Sequence, residues 1–107
     1  MSQSDFIRAI QEKRKICVTF FSRVDSGTLS RICAPMDFGP SRRAKEKNDR
    51  FHMWDYDSDT EMHTLSLNPE QIQRIEVLDE HFSPSEFITW DTKKFPWFVP
   101  REWNEFS

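Results

Sequence analysis

The residues best equipped for chemistry fall in two stretches of the chain. Arg31 is the one cation in the run Arg31–Phe38, RICAPMDF, and a guanidinium there can hold a phosphate or carboxylate through two parallel N–H donors. Farther on, His52, Trp54 and Tyr56 alternate with Phe51, Met53 and Asp55. Alternate residues of an extended segment share a face, so these three side chains form one aromatic row. Aromatic rows on small β-domains stack bases, and the adjoining cluster Arg42, Arg43, Lys45, Lys47 and Arg50 would supply phosphate contacts. Each feature also has a plainer reading. The row can be covered by another segment and form a second small core. The basic stretch is interspersed with Glu46 and Asp49, as a solvated loop is.

Other candidate groups do not assemble into a motif. Asp55, Asp57, Asp59 and Glu61 mimic the start of a calcium loop but lack its glycine at the sixth position and its glutamate at the twelfth, so they read as a hairpin turn. His52 and His63 fall on opposite faces in the register preferred below, and His81 ends a later strand, so no spacing resembles a zinc site. No serine or cysteine stands beside a base in a known arrangement, and neither a glycine-rich phosphate loop nor a paired-carboxylate signature occurs. The expectation is a non-enzymatic chain with no cofactor and no metal.

The elements that must position these groups can be read from periodicity. In SDFIRAIQEKRK, Ser4 is a candidate N-cap, and Phe6, Ala9 and Ile10 recur at helical spacing. Period-two alternation then begins, and Lys15–Ser22 reads as the first strand. A second strand, Leu29–Phe38, ends near Gly39-Pro40, with a turn through Val24-Asp25-Ser26-Gly27 between the two. Burying Ile16, Val18 and Phe20 against Ile32 and Ala34 predicts a register with Cys17 opposite Cys33. Strands three and four, Arg50–Tyr56 and Glu61–Leu67, form a hairpin. Pairing Phe51 and Met53 with Leu67 and Leu65 buries one face and sets His52, Trp54 and Tyr56 opposite Ser66, Thr64 and Met62 on the other. Asn68-Pro69-Glu70 is a turn, and Ile72–Asp79 is the fifth strand. Five short strands behind one helix predict a mainly β protein built as a small closed or nearly closed barrel.

This layout resembles the WYL-domain family of bacteria. Arg31 followed by Pro35, the strand Phe51-His52-Met53, the returning Leu65-Ser66-Leu67 and the closing segment QIQRIEVLD stand in the family's order, over roughly residues 6 to 82. Phe51-His52-Met53 replaces the name-giving Trp-Tyr-Leu, and Ser66 replaces an arginine, whereas Arg31 is retained. The resemblance implies an SH3-like or Sm-like barrel and a regulatory ligand-binding or adaptor module. It also implies a nucleotide or single-stranded nucleic-acid ligand at Arg31, His52, Trp54, Tyr56, Ser66, Arg42 and Arg43, and service to a separate DNA-binding transcriptional or defence regulator. The family usually carries a helix-turn-helix ahead of the barrel, for which this chain has no room. If the changed positions no longer bind ligand, the alternative is a protein-interaction or homodimerisation module.

Composition bounds these readings. One domain is expected of 107 residues. A net charge of −3 gives no global argument for nucleic acid, so any such site has to be local. No apolar run approaches the roughly 20 residues that span a bilayer, and MSQSDF has no signal-peptide core, so no membrane partner and a cytoplasmic location are expected. Cys17 and Cys33 are expected as reduced thiols there. The barrel with its helix is assigned to residues 1–86. Residues 87–107 form a C-terminal extension with seven aromatics, among them Phe87, Trp90, Trp97, Trp103 and Phe106. Flexible linkers are depleted in aromatics, so this extension is expected to pack on the barrel or on a partner.

Overall fold

Helix α1 spans Ser2–Glu12 and buries Phe6, Ala9 and Ile10, one face of a 3.6-residue repeat. It begins two residues before Ser4, so Ser4 lies inside the first turn and does not cap it. It ends at Lys13, whose φ of 57° breaks the helical path. The fold comes from a computed structural model that describes residues 2–22, 26–40, 48–57, 63–92, 94 and 96–107.

Five antiparallel strands follow: β1 Arg14–Ser22, β2 Gly27–Pro40, β3 Asp49–Asp55, β4 His63–Leu67 and β5 Ile72–His81. They lie in the order β4-β3-β2-β1-β5. β4 and β5 are therefore edges, and the sheet is open where a closed or nearly closed barrel was expected. It is nonetheless curled. In a flat sheet four interstrand spacings would hold β4 and β5 about 19 Å apart. Their connection is only Asn68 and a 3₁₀ turn over Pro69–Gln71, which reaches about 13 Å. A register shift between Pro35 and Asp37 in the long β2 marks a bulge where that strand bends.

Curling creates an inner face, and period-two alternation fills it. Ile16, Val18, Cys33, Pro35 and Met53 are almost wholly enclosed there, with Phe20, Phe51 and Leu67 close behind. α1 covers this face, with the Phe6 ring edge-on to Phe51 at 4.9 Å. Leu65, Ile75 and Val77, also expected in the core, pack against it half-buried.

The β3–β4 register is as the alternation predicts, with Phe51, His52, Met53 and Trp54 opposite Leu67, Ser66, Leu65 and Thr64. Met62, the partner expected for Tyr56, lies outside the described residues.

The β1–β2 register differs from expectation by one residue. Ile16 stands opposite Cys33, Cys17 opposite Ile32 and Val18 opposite Arg31. Ser22 pairs with Gly27, so the connecting loop is one residue shorter than expected, and Ser26 at φ 53° helps to close it. A one-residue slip exchanges the faces of a strand. Cys33 is thereby the enclosed core residue, Ile32 turns to the outer face, and the two cysteines point to opposite sides as free thiols. Burial, with Asp55 and Asp57 nearby, pushes the Cys33 thiol above its ordinary range, which keeps it protonated and inert.

The C-terminal extension packs in cis. Its only regular piece among the described residues is the 3₁₀ turn Asn104–Phe106, and another such turn, Pro84–Glu86, leads into it. Even so, Phe87, Ile88, Val99 and Trp103 are core residues, and the Trp103 indole N–H donates to the Ile10 carbonyl at the end of α1, at 2.9 Å.

Candidate functional site

The aromatic row forms on the outer face, and the extension lies across it. Trp54 stacks on Phe87 at 5.9 Å with 17° between ring planes. The Tyr56 hydroxyl donates to Glu86 at 3.3 Å. The Lys15 ammonium lies 4.7 Å from the centre of the Tyr56 ring while bonding Glu80 at 2.6 Å. Burial first, then the charge of Glu86, raises the Tyr56 phenol above its ordinary value. A stacking platform for bases has to present ring faces to solvent. Here the face of Trp54 is taken by Phe87.

His52 is engaged on both sides. Its Nδ1 lies 2.8 Å from Ser66 Oγ and its Nε2 lies 2.9 Å from the Gly39 carbonyl. A carbonyl only accepts, so Nε2 carries a proton and donates to it, and the Nδ1–Ser66 hydroxyl bond engages the other side of the ring. His52 and Ser66 thus satisfy one another across the β3–β4 ladder.

Arg31 is on the other side of the sheet. It shares the inner face with Val18 and Cys33 through the β1–β2 register, and its Nη1 donates to the Asp57 carbonyl. Asp57 in turn accepts the Ile32 N–H at 2.8 Å, and its own N–H donates to Asp55 Oδ1 at 2.8 Å. Arg31 therefore helps to fasten the turn after β3. It does not converge with His52, Trp54 and Tyr56, contrary to the expectation of one shared cluster, because the register slip moves Arg31 to the opposite face. Arg42 and Arg43 lie outside the described residues.

The most concentrated polar arrangement was not expected from sequence. Asp37, in the bent part of β2, accepts the backbone N–H groups of Phe98 and Val99 at 3.0 Å each and a guanidinium N–H of Arg101 at 3.2 Å. Arg101 also donates to the Val99 and Met36 carbonyls. Its guanidinium carbon lies 4.1 Å from the Trp97 ring and 4.4 Å from the Trp103 ring, between two indoles. The side chain is 1% exposed. Burial pulls its pKa down to about 10 against the opposing pull of Asp37, so it remains charged at neutral pH. The available signals were one acid in an apolar strand and one arginine among tryptophans. Each is commonplace alone, and only the fold pairs them across more than 60 residues.

Next to this clasp, Phe98 lies over Gly39, where an added Cβ would meet the ring at 2.5 Å. Glycine at that position lets the extension approach the sheet. Among the described residues no three His, Cys, Asp or Glu side chains converge as metal ligands, and no helix is long and apolar enough to cross a membrane. No family model matches the chain, and no curated protein or solved structure matches it either.

Proposed function

We propose that the chain is a non-enzymatic adaptor of the WYL-like regulatory kind that works by protein contact, with its ancestral ligand positions turned to internal use. One observation carries this reading: every described candidate position already has an intramolecular partner. His52 is held by Ser66 and the Gly39 carbonyl, Trp54 by Phe87, Tyr56 by Glu86 and Arg31 by Asp57. A ligand would have to break these contacts, and each leaves a buried or half-buried group to be satisfied again. The barrel part of the reading draws support from the curled five-stranded order, in which β5 returns beside β1 behind an N-terminal helix. An SH3-like or Sm-like barrel opened between β4 and β5 has this layout. The regulatory part rests on the resemblance of the Arg31–Asp79 pattern, and the partner it implies is a DNA-binding or effector protein.

The test is a titration of the full chain at low salt with mononucleotides and short single-stranded DNA and RNA, read by calorimetry and by tryptophan fluorescence. The expected result is no saturable binding. Saturable binding that disappears in both Arg31→Ala and His52→Ala would overturn the adaptor reading and restore ligand sensing at those positions.

A further inference from the structure

Of the two sheet edges, β5 is the one that another chain can read at length. It runs ten residues against five for β4 and, among the described strands, bonds only β1. Among the described residues no backbone hydrogen bond from another element reaches it. Gln73, Arg74 and Glu76 are exposed. An unpaired edge presents N–H and C=O groups at regular spacing and is a template for a further strand unless proline, lysine or bulges blunt it. β5 contains no proline and no lysine. Its register on β1 is unbroken from Arg74 to Val77, with irregularities only on either side of that stretch.

The charges on this stretch select one partner. Arg74 and Glu76 flank Ile75, share the outer face and pair along the strand at 3.8 Å with most of their surface in solvent. Antiparallel pairing of β5 with the β5 of a second copy, centred on Ile75, sets each Arg74 opposite a Glu76 from the other copy. Centring on Arg74 or on Glu76 instead sets like charges face to face, which disfavours those registers. Self-pairing is isologous and closes at two copies, whereas pairing β5 with a β4 is head-to-tail and propagates.

We infer that β5 is a homodimerisation edge, in which two copies pair antiparallel about Ile75 and hold register through two reciprocal Arg74–Glu76 contacts. This names one contact of the protein-contact reading above and rests on that reading for its role. The regular stretch is short, so the dimer is weak and forms with concentration.

Sedimentation velocity of the full chain up to roughly millimolar concentration should show a reversible monomer–dimer equilibrium. Arg74→Glu and Glu76→Arg should each weaken it roughly tenfold or more, because two attractive cross-strand pairs become two repulsive ones. The double variant R74E/E76R should recover the parent behaviour. Amide exchange at residues 74–76 should slow as the parent is concentrated, a readout that needs no variant. A parent that stays monomeric, a dimer indifferent to both single reversals, or an assembly larger than two would overturn the β5 contact. Failure here is separate from failure of the adaptor reading, which the ligand titration decides.

Discussion

Asp37 has consequences out of proportion to its size because its carboxylate receives the extension's backbone and a buried guanidinium together. Replacing a buried ion pair by well-packed apolar groups is often neutral, but removing one partner leaves the other charge uncompensated. Asp37→Asn should therefore cost about 3 kcal/mol in urea unfolding, while the double variant D37N/R101M, which keeps a side-chain oxygen for the Phe98 and Val99 N–H groups and removes the uncompensated cation, should regain part of it. An Asp37→Asn protein as stable as its parent would show that the clasp does not hold the extension. Tyr56 offers a second residue-level test, because it is the chain's one tyrosine and phenolate absorbance reports it alone. Its folded pKa is raised above the ordinary value of 10.0 by burial and Glu86. The stability it contributes is complete below that value and is lost as pH rises through the folded pKa. The phenol should ionise at higher pH in the native protein than in urea, and Tyr56→Phe should flatten the alkaline fall in stability. Coincident native and unfolded titrations would refute the Tyr56–Glu86 environment.

At the scale of elements, the extension behaves as part of the core although it forms no strand. Trp103 is 1% exposed, meets Phe82 and Trp97 ring to ring and caps the end of α1 through its indole N–H. Truncating a buried tryptophan costs about 3–5 kcal/mol, comparable to the whole stability of a small domain. Trp103→Ala should accordingly be unfolded or molten at room temperature by near-ultraviolet circular dichroism. Deletion of residues 88–107 should do the same and increase dye binding to exposed apolar surface. If the truncated chain melted cooperatively at the parent temperature, the extension would be an independent arm and the outer face a free platform.

For the molecule as a whole, the short β4–β5 connection decides the shape, because it curls the sheet and gives α1 a concave face to fill. The radius of gyration of 13.2 Å is about that of a compact domain of this length, about 13 Å, so the extension adds no protruding arm. α1 covers one face and the extension covers the Trp54 and Asp37–Gly39 part of the other, while the sheet edges keep unpaired backbone. This arrangement is why association through β5 and the lack of small-ligand binding are expected together.

Much of this was legible in the chain itself. Local periodicity specified α1, the five strands and the β3–β4 pairing, since one face of that hairpin is plainly apolar and a slip would expose Phe51 and Met53. The aromatic density of residues 87–107 announced that they pack, and the two cysteines in an otherwise unpatterned chain read correctly as free thiols. The β1–β2 register was not legible, because the run Ile32–Phe38 is apolar at nearly every position and both of its faces are covered, so alternation could not choose between Ile32 and Cys33 for the core. That single ambiguity carried Arg31 to the wrong face and placed it among residues it does not meet. Nor could any local pattern reveal the Asp37–Arg101 clasp or the openness of the sheet. Both depend on contacts between distant segments, whose geometry is set by how the sheet curls and by which face remains for the extension once α1 has filled the other.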